Sequence, residues 1–88
     1  MGVEKTIKEI KEKDDFLLEE GNIISPNELL PKIRKFRETL QKNYADANYL
    51  PDESRSSIQS LCNIKDKYWA HRERCITGEF TYVLPALQ

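Results

Sequence analysis

Apolar residues fall at helical spacing in three stretches of this chain. In the first, Val3, Ile7, Ile10 and Leu17 keep one line at steps of three, four and seven, joined near the end by Phe16 and Leu18. Asp14 interrupts that line. The remaining positions mix Lys with Glu, and Glu9 and Lys13 stand at the favourable four-residue spacing. Gly21 supplies the residue that a helix C-terminus prefers just past its end, so a first helix is expected over about 3–20.

The start of the second helix is written in Ile24-Ser25-Pro26-Asn27-Glu28-Leu29. Ser25 suits the N-cap, Pro26 the first helical position, and Glu28 the reciprocal place of a capping box. Ile24 and Leu29 then form a hydrophobic staple. Pro31 lacks an N–H that a continuing helix uses, so either a kink or a short turn ahead of a helix proper is expected there. Beyond it Ile33, Phe36, Leu40 and Tyr44 form a clean stripe. Lys32, Arg34, Lys35, Arg37 and Lys42 face away from it, the most basic surface in the chain. The helix runs to about 45, and ADANYLPD (45–52) links it to the next, with Pro51 able to open that helix.

The stretch from Asp52 to Ile76 carries the only Trp, the only His and both cysteines. At 100° per residue it shows two apolar lines. Leu61, Ile64, Tyr68 and Cys75 make one, taken as the inner line. Ile58, Cys62, Trp69 and Ile76 make the other, roughly 120° away, and are expected to meet a partner. Lys65 and Arg72 lie between, with stems long enough to cover apolar surface while their heads reach water. So wide an apolar arc needs neighbours on two sides: the helix is either the centre of a bundle or partly covered by another chain.

Gly78 ends this helix, and Phe80-Thr81-Tyr82-Val83-Leu84-Pro85 reads as an extended strand. With little else of that character, the segment either packs across the helices or pairs with another chain. The expectation is therefore a single all-α domain over 1–88. It is a small three-helix bundle with helices at about 3–20, 26–45 and 52–76 and an extended C-terminal arm over 79–88.

Composition narrows the functional classes. Charged residues are 33% of the 88, but they are finely mixed and the net charge is −1, so no global attraction to nucleic acid or to a membrane follows. No apolar run approaches the roughly 20 residues of a membrane span. Nor does the N-terminus hold the apolar core of a signal peptide. The expected location is cytoplasmic. On one helix Cys62 and Cys75 stand about 20 Å apart, beyond disulfide reach, and read as reduced packing residues. His71 and Cys75 face the same way, but structural zinc needs four such ligands; no metal and no cofactor is expected.

Lys65-Asp66-Lys67-Tyr68-Trp69-Ala70-His71-Arg72-Glu73 is where catalysis would rest. The segment resembles the signature of the HEPN families, helical-bundle domains of toxin and phage-defence systems. There an Arg, a following Asn, Asp or His, and then a His lie on one helix. Lys65 stands at the position of the family's Arg. The resemblance implies a dimer with two such helices facing each other and metal-independent RNA cleavage, with His71 as general acid or base and Lys65 as phosphate contact. A Lys gives up the bidentate fork that an Arg offers a phosphate. The plainer reading of His71 is a helix residue beside the apolar stripe.

The leading expectation is a non-catalytic interaction or regulatory module. It would act through protein partners, copies of itself included, by way of Ile58, Cys62, Trp69, Ile76, Phe80, Tyr82 and Leu84. The HEPN-like ribonuclease, or an inactive relative, is the alternative. Nucleic-acid binding through Lys32, Arg34, Lys35 and Arg37 is the weaker third, since clustered cations raise local potential.

Overall fold

The computed structural model describes residues 2–78. The expected arm, with Phe80, Tyr82 and Leu84, lies outside them. The described chain is all-α: α1 Gly2–Glu20, α2 Pro26–Asp46, a short 3-10 turn Ala47–Tyr49, and α3 Asp52–Thr77. Ser25 caps α2 as its sequence implies, its Oγ accepting from the Glu28 N–H at 3.3 Å, with Pro26 in the first turn. Pro31 does not end α2. It stands at the sixth helical position, so the single hydrogen bond it forfeits would have reached Asn27 in the first turn, and the helix runs on to Asp46.

The helices run up, down and up. At one end Glu20 of α1 pairs with Lys32 of α2 at 3.2 Å. At the other, Gly2, Val3 and Thr6 line a cleft together with Asn43, Asp46 and Ile58. Helices α1 and α3 are therefore parallel, and α2 is antiparallel to both. Between them lies a core of Ile10, Leu17, Leu29, Ile33, Phe36 and Leu40 from α1 and α2, with Ile58, Cys62 and Trp69 from α3. Phe36 meets Trp69 edge-on, ring centres 6.4 Å apart, an arrangement that satisfies the ring quadrupoles.

This arrangement exchanges the two apolar lines of α3. The line expected at a partner interface is the inner one: Ile58, Cys62 and Trp69 are buried in the chain's own core, and Ile76 packs against it. The line taken as inner faces outward, with Ile64, Tyr68 and Cys75 exposed and Leu61 half-buried.

The two glycines past the helix ends work differently. Gly78 has φ 87°, and its N–H bonds the Arg74 carbonyl, the left-handed cap expected of it. Gly21 has no positive φ. A Cβ there would stand 2.6 Å from an Arg72 guanidinium nitrogen, so what the glycine gives is room for the end of the Arg72 side chain and not a turn.

Candidate functional site

Asp14, which breaks the apolar line of α1, is the hinge of the internal chemistry. It is only 2% exposed. A buried carboxylate requires donors, and α3 supplies two from positions four apart on one face. Lys65 Nζ donates to Asp14 Oδ2 at 2.8 Å, and Trp69 Nε1 donates to Oδ1 at 2.7 Å. No buried side-chain N or O among the described residues lacks a partner. Arg72, one turn beyond Trp69, lays its guanidinium 5.4 Å from the Trp69 ring, a cation–π contact. Lys65 and Arg72 thus cover the α1 side of Trp69.

A second network ties α3 to α2. Arg37 Nε donates to Asp66 Oδ1 at 2.8 Å and its Nη1 to Glu73 Oε1 at 2.9 Å, while Arg34 Nε reaches Glu73 Oε2 at 3.2 Å. The hydrogen bond to Asp66 is the main reason the Arg37 pKa rises above its ordinary value, against a smaller opposing effect of burial. Burial pushes Glu73 upward, yet the hydrogen bonds from Arg37 and Arg34 together with their charges prevail and hold it below the usual carboxylate range. Burial, with a contribution from the Asp66 charge, raises the Cys62 thiol, in keeping with an unreactive core residue.

These networks bear on each expected site. Lys65, the implied phosphate contact, is engaged by a buried carboxylate inside the fold. His71 is exposed on the outer side of α3, and its Nε2 lies 3.7 Å from Cys75 Sγ. The helix turns Lys65 and His71 about 120° apart, so the two do not converge. Of the basic face of α2, Lys32, Arg34 and Arg37 are all paired with carboxylates. Lys35 and Lys42 remain exposed and unpaired among the described residues, so carboxylates offset three of the five cations of the face. No three His, Cys, Asp or Glu side chains among the described residues are grouped to hold a metal ion. No described helix is long and apolar enough to cross a membrane.

The fold leaves several large apolar side chains uncovered. On α3, Ile64 is 65% exposed and Tyr68 46%, on the line that continues to Cys75. Between α1 and α2 runs an open groove of about 380 Å³, floored by Leu17 and Phe36. Its α1 wall carries Glu12, Lys13, Phe16 and Glu20, and its α2 wall Lys32, Lys35 and Thr39. Phe16 on that wall is 63% exposed. Sequence pattern did place Phe16 at the margin of the first apolar line, but gave no sign that a groove opens beside it. No protein-family model, curated protein or solved structure matches the chain.

Proposed function

We propose that this chain is a small, non-catalytic helical interaction module that works by docking apolar helix faces on other proteins, copies of itself included. One observation carries the reading: of the large exposed apolar side chains, Phe16 stands beside the α1/α2 groove and Ile64 shares a face of α3 with Tyr68, while Ile23, Tyr44 and Tyr49 are exposed elsewhere. Apolar patches gathered in this way are typical of surfaces that meet protein. Several polar groups that would serve catalysis or nucleic-acid binding are paired with carboxylates of the same chain, Lys65 with Asp14, Arg37 with Asp66 and Glu73, and Arg34 with Glu73.

The test is an NMR dilution series on the full chain, run beside an RNA cleavage assay of wild type and His71→Ala. The reading expects resonances of Phe16, Ile64 or Tyr68 to move with concentration while the buried Trp69 indole stays fixed, and no cleavage from either protein. Exposed apolar resonances indifferent to concentration, with RNA cleavage that His71→Ala removes, would overturn it in favour of a ribonuclease.

A further inference from the structure

The α1/α2 groove has features that select its occupant. It is apolar at the floor, where Leu17 and Phe36 lie, and an exposed aromatic knob, Phe16, stands on its rim. A knob and a hole side by side on one surface are what a two-fold interface uses, since each copy then offers both parts to the other. The charges repeat this logic. On the α1 wall Glu12 and Lys13, and on the α2 wall Lys35, have no side-chain hydrogen bond or ion pair among the described residues, and of these Glu12 and Lys35 are of opposite sign. A two-fold that lays α1 of one copy over α2 of the other pairs them twice. The outer line of α3 offers no such match, since its apolar residues have no charged counterpart that points to an occupant.

Resting on the interaction reading, we propose that a second copy of this chain occupies the groove. The Phe16 side chain of each copy enters the groove of the other against Phe36 and Leu17, and Glu12 of each meets Lys35 of the other. Helices α1 and α2 of the two copies then form a four-helix layer pair of the kind that two antiparallel hairpins build when they stack. Apolar contact supplies the association, and the reciprocal charges fix its register.

Sedimentation of the full chain from low micromolar to near millimolar concentration tests this, with far-UV circular dichroism confirming the fold of every variant. Wild type is expected to form a two-chain species. Phe16→Glu, at an exposed position the fold tolerates, should weaken that species by roughly 30-fold or more, as for a central aromatic anchor. Lys35→Glu should weaken it by setting like charges opposite each other, and adding Glu12→Lys should restore it. A two-chain species split by Ile64→Asp but indifferent to Phe16→Glu overturns this groove assignment and leaves the interaction reading standing on α3. A single-chain species throughout overturns the second copy as occupant. So does a Lys35→Glu defect that Glu12→Lys fails to repair.

Discussion

Removing the Asp14 carboxylate should cost this small protein a large part of its stability. In Asp14→Ala the Trp69 indole N–H, buried at the centre of the core, loses its acceptor, at about 1–3 kcal/mol. Stranding a fully buried partner charge would cost 3–5 kcal/mol on general grounds. Lys65 keeps 27% of its side chain exposed, however, so its ammonium can turn to water and only a fraction of that cost applies. The sum is about 3 kcal/mol. A chain of this length holds roughly 4–13 kcal/mol in all, at the usual stability per residue. With a urea dependence near 1 kcal/mol/M for a small domain, the unfolding midpoint followed by circular dichroism should fall by about 2–3 M. Trp69→Phe removes the donor and leaves the carboxylate, so the double variant should be coupled to Asp14→Ala by about 1 kcal/mol or more. A loss below about 0.5 kcal/mol, the scale of ordinary surface substitutions, with no coupling to Trp69→Phe, would refute the buried triad of Asp14, Lys65 and Trp69.

Three further expectations follow from the same geometry. Trp69→Ala empties the centre of the core and should destabilise the fold by about 3–5 kcal/mol in urea unfolding; a variant that stays fully folded and merely changes its association would return Trp69 to an interface. Glu73 is held below the ordinary carboxylate pKa, so the folded state binds fewer protons than the unfolded chain between the two values. Its contribution is complete at neutral pH, above the unfolded value near 4.3, and is lost as pH falls through the lower folded value; urea midpoints should show that acid-side decline, and Glu73→Gln should flatten it. Gly21→Ala displaces only the mobile end of Arg72 and gains about 0.4–1 kcal/mol by restricting the unfolded chain, so its net effect should lie within about 0.5 kcal/mol of zero. Gly78→Ala, at φ 87°, should cost about 1 kcal/mol or more, and equal effects at the two glycines would contradict their different roles.

The helices themselves were readable because their ends carry local chemistry. Ser25, Pro26 and Gly78 act through neighbours within one turn, so a single stretch of sequence states the result. The facing of α3 was not readable in that way. Its two apolar lines have comparable content, and what decides between them is Asp14, 51 residues before Lys65. The signal was present: an acid in the middle of an apolar line needs buried donors, and Lys65 and Trp69, four residues apart, are a matched pair of them. Periodicity within one helix cannot show the match. The basic face of α2 has a similar history, because the carboxylates that offset part of it, Glu20, Asp66 and Glu73, belong to other helices. Phe16 is legible as an apolar residue beside the first stripe, whereas the groove it borders exists only once α1 and α2 are set side by side.

Docking by apolar helix faces is the central claim, and the solution mass of the intact chain across a wide concentration range tests it most directly. The account predicts passage from one chain to two as concentration rises, with helix content unchanged, because the faces that meet are already formed. A single chain at every concentration, together with no binding of an apolar dye to the exposed faces, would contradict it.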